Sequence, residues 1–183
     1  MAHTAGLSPV QVPAERILAV DLLGVALVLE EFDRVMAPGG SGVVISSMAG
    51  HRVPPLPEGE ASALATAPAE DLLSLPLVVG RAATDPGAAY SVAKRANHLW
   101  VQAASTVWGE RGARVDNISP GVVSTSMGRG ELDSEHGASM RAVVGASNAG
   151  RLGTPTDIAV AAEYLLGSAS SFVSGTDLLV DGV

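Results

Sequence analysis

Tyr90 and Lys94 are the two residues of this sequence whose types and spacing are best suited to chemistry. Both lie in the stretch AAYSVAKRAN, and Lys94 is the only lysine among eleven basic residues. On a helix, residues four positions apart share a face and lie next to each other. A free phenol has a pKa of about 10, and a nearby ammonium lowers that value by favouring the phenolate. The spacing therefore predicts a proton-transferring tyrosine, the alternative being a surface pair without a role.

Further polar residues follow two apolar runs on either side of this pair. Ser46 and Ser47 follow the run VVI, and a Pro120-Gly121 turn followed by Thr125 comes after ARVDNI. In open parallel sheets, ligands bind outside the carboxyl ends of the strands. Serines at such places are also common as turn or cap residues. If the runs are neighbouring parallel strands, these groups meet at one edge of a sheet.

Helices and strands alternate along the chain, which predicts an α/β domain over residues 1–183 with a parallel sheet covered by helices. The third helix has a complete set of boundary signals: Thr154 as cap, Pro155 in the first turn, Asp157 three residues after the cap, and Gly167 at the end. We predict helices at 13–37, 88–111 and from 154, with Pro13 in the first turn of the first helix, and strands at 43–46, 113–118 and 177–180.

Residues 51–86 are rich in proline and alanine and show little periodicity apart from one short helix near 68–75. We interpret them as an insertion loop between Ser47 and Tyr90 rather than as part of the core, because a loop this long is usually functional or mobile. A lid that shapes substrate choice, a subunit contact and a decorative surface loop remain open as its role.

Bulk composition excludes several classes of function. The formal net charge of −8 argues against nucleic acid, whose phosphates need clustered basic residues. Without cysteine there are no disulfides and no thiolate metal ligands. The histidines at 3, 51, 98 and 136 are scattered, so spacing predicts no metal site, although they can still meet in space. No apolar run is long enough for a membrane span and the N-terminus lacks a signal-peptide core, so we expect a cytoplasmic protein.

Together these motifs resemble the short-chain dehydrogenase/reductase family. The family pattern is a serine after a strand, Tyr-x-x-x-Lys on the next helix and Pro-Gly-x-x-x-Thr after the following strand, matched here by Ser47, Tyr90 with Lys94, and Pro120-Gly121 with Thr125. The stretches HTAG, GRLGTPTDIA and SFVSGTDLLVDG also resemble family segments in the right order. The resemblance implies a Rossmann-like, doubly wound parallel sheet.

The resemblance also implies a role for each residue. Tyr90 is the general acid/base, Lys94 lowers its pKa and binds the nicotinamide ribose, and Ser47 holds the substrate oxygen. Asp21 lies where the family usually has a proton-relaying asparagine, and a buried, hydrogen-bonded acid is the alternative. The cofactor is NAD or NADP, and the implied cofactor-binding residues are Ala5, Gly6, Tyr90, Lys94, Pro120, Gly121, Val123 and Thr125.

The implied reaction interconverts a secondary alcohol and a ketone by hydride transfer. Met127 and Met140 favour an apolar small-molecule substrate. The helices at 13–37 and 88–111 are those through which family members associate, so a homodimer or homotetramer is expected, with neither nucleic acid nor membrane as a partner.

One departure from the family is large. No G-x-x-x-G-x-G turn follows any strand, and the chain begins at the turn that follows the family's fourth strand. We therefore expect an N-terminally truncated domain with about three core strands, lacking on the order of 80 residues of the family pattern. The activity of such a chain is doubtful, and an inactive fragment that acts only in subunit association is the alternative function. The residues that distinguish NAD from NADP fall in the absent part.

Overall fold

Parallel strands and covering helices alternate along the chain in the computed structural model, which describes residues 1–183 apart from the side chain of Arg81. These residues form a four-stranded parallel sheet in the order β1-β2-β3-β4. The strands are β1 (Ala2–His3), β2 (Ser41–Ile45), β3 (Arg114–Pro120) and β4 (Asp177–Val180). The α-helices are α1 (Ala14–Ile17), α2 (Val25–Val35), α3 (Glu58–Thr66), α4 (Pro76–Val79), α5 (Pro86–Glu110), α6 (Ser126–Leu132), α7 (Gly137–Ala146) and α8 (Pro155–Leu166).

The strands β2 and β3 form the middle of the sheet and are covered on both faces. Val44 and Val115 pack with α1, α2 and α5, whereas Val43 and Ile118 pack with Leu165 of α8 on the opposite face. Strands buried on both faces appear in a sequence as continuous apolar runs, which is why 43–46 and 113–118 were recognisable. The sequence predicted three strands. The fourth, β1, has only two residues, too few for any periodicity to show.

The predicted helix at 13–37 is present as a continuous helical segment, but its middle part is π-helical rather than α-helical. Pro13 is the extended N-cap rather than a first-turn residue, and α1 and α2 are joined by a π-helical stretch, Leu18–Gly24. A π-helical stretch widens the helix and changes which residues face the core, and such stretches are frequent at functional sites. Here the π-helical stretch buries Asp21 together with its apolar neighbours.

The long helix α5 packs against β3 and carries the Tyr90–Lys94 pair. The side chain of Asp85 caps its N-terminus by accepting a hydrogen bond from the Ala88 backbone N–H at 2.9 Å. Alanines on its buried face let neighbouring elements approach closely. These are Ala89, Ala93 and Ala96.

The prediction that residues 51–86 are a loop outside the core is wrong. The segment folds into α3, α4 and three 3₁₀ helices, Met48–Arg52, Ala69–Ser74 and Arg81–Ala83, and its Leu64, Leu72 and Val78 are fully buried in the main core. Its prolines mark helix starts rather than irregular loop. Pro57 and Pro68 are N-caps, and Pro76 is the first residue of α4, positions at which the missing N–H costs nothing.

The third helix begins as the sequence predicted, with a capping box in which Thr154 and Asp157 exchange side-chain and backbone hydrogen bonds. Before it, residues 121–150 contain α6 and α7, which the sequence did not predict because the segment is polar and rich in glycine. Among the helices described here, none is long and apolar enough to cross a membrane.

Candidate active site

A cavity of about 700 Å³ opens at the carboxyl ends of β2 and β3, the edge at which the sequence predicted a site. Its wall is mostly apolar and includes both methionines that favoured an apolar substrate. From β2 and α5 the wall includes Ile45, Ser46, Ser47 and Tyr90, from the β3 end Pro120, Gly121, Val122, Val123 and Thr125, and from α6, α7 and α8 Met127, Glu131, Met140 and Ile158. Of residues 51–86, Arg52 alone lies among the described lining residues, which argues against a lid formed by that segment.

Ser47 and Tyr90 meet at the wall of this cavity. Ser47 caps the 3₁₀ helix that follows β2, its Oγ accepting a hydrogen bond from the Ala49 backbone N–H at 3.1 Å. The Tyr90 side chain lines the same wall, close enough for the Ser47 hydroxyl to lower the pKa of Tyr90. Next to it, Ser46 Oγ donates to the Lys94 backbone oxygen at 2.9 Å and ties the end of β2 to α5. The predicted serine–tyrosine pair is therefore assembled facing a cavity.

Lys94 lies behind the tyrosine, buried between α5 and the end of β2. Its Nζ donates to the Ile45 backbone oxygen at 3.4 Å and lies 5.3 Å from the centroid of the Tyr90 ring. Burial lowers the pKa of Lys94, and the charge of Asp21 opposes that shift. The ammonium thus faces the aromatic ring rather than making a hydrogen bond with the hydroxyl.

The pKa of Tyr90 differs from the sequence-based expectation. Burial raises the pKa of Tyr90 to about 12, the neighbouring Ser47 hydroxyl lowers it, and the charges of Glu131 and Asp21 raise it further. The expectation that Lys94 would bring this pKa below that of a free phenol is wrong for the protein without bound ligands. Desolvation disfavours the phenolate, and two carboxylates add to that effect.

Asp21 is fully buried beside Lys94 rather than exposed on its helix. Its Oδ1 accepts a hydrogen bond from the Leu7 backbone N–H at 2.9 Å. Burial raises the pKa of Asp21, whereas the charge of Lys94 and the Leu7 hydrogen bond lower it. A Cβ on Gly6 would lie 3.2 Å from Asp21 Oδ1 and 3.4 Å from Lys94 Nζ, so glycine leaves room for these two charged groups to approach.

The predicted cofactor contacts divide into two groups in the structure. Tyr90, Pro120, Gly121, Val123 and Thr125 line the cavity, whereas from the N-terminal turn Thr4 lines it in place of Ala5 and Gly6. Some of these residues also have structural tasks. Thr125 caps α6 by accepting from the Gly128 N–H at 3.1 Å, and a Cβ on Gly121 would lie 2.7 Å from the Asp181 backbone.

Glu131 is a site residue that sequence reasoning missed. It lines the cavity from α6, and its Oε1 accepts a hydrogen bond of 2.6 Å from Ser8 Oγ. Ser8 is fully buried in the loop after β1, so this bond joins the N-terminal loop to α6. The two residues are 123 positions apart, and no local pattern marks either of them.

Comparison with known proteins identifies the family. Residues 60–182 match the family model described as enoyl-(acyl carrier protein) reductase. The chain is 45% identical over 184 residues to the short-chain dehydrogenase/reductase bsc3 of Alternaria brassicicola, an alignment that spans 98% of this chain and 65% of that protein. The chain belongs to the short-chain dehydrogenase/reductase family. This family member therefore spans less than two thirds of the length of that relative.

More distant relatives agree with this assignment. The family member is 27% identical over 181 residues to the 3-alpha-hydroxysteroid dehydrogenase/carbonyl reductase of Comamonas testosteroni, covering 97% of this chain and 69% of that protein. It superposes with a TM-score of 0.82 at 24% identity on the 3-alpha-hydroxysteroid dehydrogenase of Pseudomonas sp. B-0831 complexed with NADH, covering 99% of this chain and 70% of that one. The structural likeness confirms the predicted Rossmann-like fold.

Proposed function

We propose that this protein is an NAD(P)-dependent oxidoreductase that interconverts a secondary alcohol and a ketone. The observation that carries the proposal is the placement of Ser47 and Tyr90 together at the wall of a largely apolar cavity, with the Lys94 ammonium 5.3 Å from the centroid of the Tyr90 ring. A hydroxyl donor, a proton-transferring phenol and a fixed cation are the groups that a carbonyl needs when it is reduced.

The protein's own residues supply the proton and the orientation. In the reducing direction, Ser47 Oγ donates a hydrogen bond to the substrate oxygen, and Tyr90 transfers its hydroxyl proton to that oxygen as the carbonyl carbon receives a hydride. When bound, the nicotinamide supplies or accepts this hydride. The reverse reaction requires the Tyr90 phenolate to take the alcohol proton. Burial raises the pKa of Tyr90 to about 12, so the unliganded site favours the neutral phenol that the reducing direction requires and disfavours the phenolate that the reverse reaction requires.

The residues at the cavity fit the nicotinamide half of the cofactor. The cavity of about 700 Å³ reaches Tyr90 and the Pro120-Gly121 turn. Lys94, Pro120, Val123 and Thr125 are the residues that we assign to the nicotinamide and its ribose. The sequence contains no G-x-x-x-G-x-G turn, so none of its residues is assigned to the pyrophosphate.

The acid/base role is tested with the two tyrosines of this chain. NADH and NADPH are titrated against the purified chain, as is reduced nicotinamide mononucleotide, which needs the nicotinamide half alone. Turnover is then followed at 340 nm with cyclic ketones and with polyol-derived ketones. Tyr90→Phe should lower kcat by about 10²–10⁴-fold, the usual contribution of such a group. Tyr164→Phe, on the exposed face of α8, is the matched control and should leave kcat unchanged.

Lys94→Arg separates charge from geometry, because a planar guanidinium does not fit the place of a compact ammonium. We expect weaker binding of the reduced mononucleotide and lower kcat despite the retained charge. A Tyr90→Phe protein with more than about a tenth of the wild-type rate would contradict the acid/base role. Binding of the mononucleotide without turnover on any ketone would leave a nicotinamide-binding chain that is not an oxidoreductase.

Association is a second candidate function with its own observation. On α2, Leu27, Phe32 and Val35 are exposed, and Val107 of α5 is exposed as well. Exposed apolar side chains grouped on helices favour contact with another chain. Light scattering of wild type and of a Val35→Glu variant tests this proposal. A concentration-independent monomer in both proteins would exclude it, independently of the enzymatic result.

A further inference from the structure

Two of the four histidines meet an aspartate beside the sheet, outside the described lining of the cavity. The Nε2 atom of His51 lies 2.6 Å from Asp177 Oδ2, and the Nε2 atom of His98 lies 3.5 Å from Asp177 Oδ1. The two imidazole rings are 4.7 Å apart between centroids. One ligand atom from each of these residues lies within 4.8 Å of the other two.

Three separate elements deliver these side chains, and close packing holds them in place. His51 belongs to the 3₁₀ helix after β2, His98 lies one turn beyond Lys94 on α5, and Asp177 opens β4. The glycine at position 50 is required for this approach. A Cβ there would lie 2.7 Å from His98 Cε1 and 2.9 Å from the Lys94 carbonyl carbon.

Hydrogen bonds orient all three groups toward a common point. Ser119 Oγ donates to Asp177 Oδ1 at 2.8 Å and is 2.9 Å from His98 Nε2, which donates to it. His51 Nε2 donates to Asp177 Oδ2. Both imidazoles therefore present the same nitrogen, Nε2, to one carboxylate, and Ser119 adds a hydroxyl oxygen beside them.

The charges at this cluster favour a cation. Within the described residues, the ion-pair partners of the Asp177 carboxylate at up to 4.0 Å are the two imidazoles, and no lysine or arginine is among them. The carboxylate therefore has no fixed cation of the protein within ion-pair distance among the described residues, and a metal ion would provide one.

We propose that His51, His98 and Asp177 bind a divalent transition-metal ion, with Zn²⁺ as the best match. Two imidazole nitrogens and one carboxylate oxygen form a common zinc ligand set, completed to four by a water or a hydroxyl such as that of Ser119. Binding through Nε2 requires the proton of each imidazole to move from Nε2 to Nδ1. The shift exchanges the hydrogen bond from His98 Nε2 to Ser119 for a bond to the ion and leaves the buried Nδ1 proton without a partner among the described residues.

The ion would stabilise the structure by cross-linking separate elements and would take no part in the reaction. It would join β4, which pairs with β3 alone in the described sheet, to α5 and to the segment after β2. Ser47 and Lys94 each lie four residues before a ligand, so the ion would also fix the segments that carry the candidate active site. The proposal is independent of the oxidoreductase function, since a metal-binding chain need not turn over a ketone.

The test uses the tag-free chain after dialysis against a chelator. Zn²⁺ binding is measured by calorimetry, and Co²⁺ is added as a spectroscopic probe whose visible d–d bands report tetrahedral nitrogen and oxygen ligation. His51→Ala removes a ligand whose side chain is 39% exposed, so this variant should fold. Asp177→Asn keeps the shape of the carboxylate. The control is His136→Ala, because His136 forms another histidine–acid pair, 3.6 Å from Glu135 on the surface.

Wild type should bind one Zn²⁺ per chain and gain thermal stability with it. His51→Ala and Asp177→Asn should each weaken binding by at least about tenfold, since even residues that only orient ligands typically contribute 10–100-fold. His136→Ala should bind as wild type does. The absence of binding below millimolar Zn²⁺, unchanged affinity in either ligand variant, or equal loss in the control would overturn the proposal.

Discussion

The ionisation of Tyr90 is the property on which sequence and structure disagree most directly, and the chain allows it to be measured in isolation. The sequence contains two tyrosines, so Tyr164→Phe leaves Tyr90 as the only phenol. Phenolate formation can then be followed by absorbance near 295 nm as pH rises. We expect Tyr90 to ionise well above the ordinary value, with a pKa of about 12 instead of 10.0.

The effect of this pKa on the free energy of unfolding follows from the linkage between proton binding and folding. A rise of this size means that folding favours the neutral phenol by roughly 3 kcal/mol, at about 1.36 kcal/mol per pKa unit. Because the folded-state pKa is the higher one, this stabilisation is complete below the unfolded value of about 10 and is lost as pH rises through about 12. The free energy of unfolding should therefore fall over that window, and Tyr90→Phe should remove this dependence.

The separate causes of the shifted Tyr90 pKa can be tested by substituting the residues that contribute to it. Glu131→Gln removes a negative charge at the cavity wall and should lower the pKa of Tyr90, whereas Ser47→Ala removes the neighbouring hydroxyl that lowers this pKa and should raise it. Rapid pH jumps, with circular dichroism at each pH, keep the titration within the folded state. Ionisation of Tyr90 at or below the ordinary phenol value in the folded protein would show that the Lys94 ammonium outweighs burial, and would refute this reasoning.

Three further predictions concern the framework of the site. Arg114→Met should lower the free energy of unfolding by at least about 1–3 kcal/mol, because its guanidinium donates to Leu165 O, Gly167 O, Ser170 Oγ and Val173 O and the substitution takes a donor from each of these acceptors. In urea melts the exposed Arg34→Met should cost less than about 0.5 kcal/mol. Leu72→Ala should lower the free energy of unfolding by about 2–5 kcal/mol and leave relative kcat/KM among ketones unchanged. The adjacent, partly exposed Leu73→Ala should lower the free energy of unfolding much less. A changed order of preferred ketones in Leu72→Ala would show that the 51–86 segment has a role in specificity. Burial raises the pKa of Asp21, so the protonated carboxyl stabilises the fold below the ordinary pKa of 3.8, and this stabilisation is lost as pH rises through the higher folded-state pKa. The Asp21→Asn variant should therefore gain stability relative to wild type between pH 4 and pH 7. A difference in the free energy of unfolding between the two proteins that does not change with pH would contradict this.

Local signals in the sequence were enough to locate most of the fold. The capping box of Thr154 and Asp157 and the apolar runs of β2 and β3 are short-range patterns, and the structure places them where the sequence predicted. The prolines of the 51–86 segment misled, because proline marks both irregular loops and helix starts, and Pro57, Pro68 and Pro76 are of the second kind. Only burial distinguishes the two cases, and burial depends on the rest of the fold.

The composition of the candidate site was predictable, but its electrostatics were not. Tyr90 and Lys94 are four residues apart on one helix, so their proximity follows from helical geometry. The groups that set the pKa of Tyr90 come from elsewhere: Asp21 from a π-helical stretch and Glu131 from α6. A π-helical turn has no simple sequence signature, and a carboxylate on a short polar helix resembles any surface acid. Residues that are close in sequence thus identify the reacting groups, whereas the charge that those groups carry is decided by residues that only the fold brings within reach.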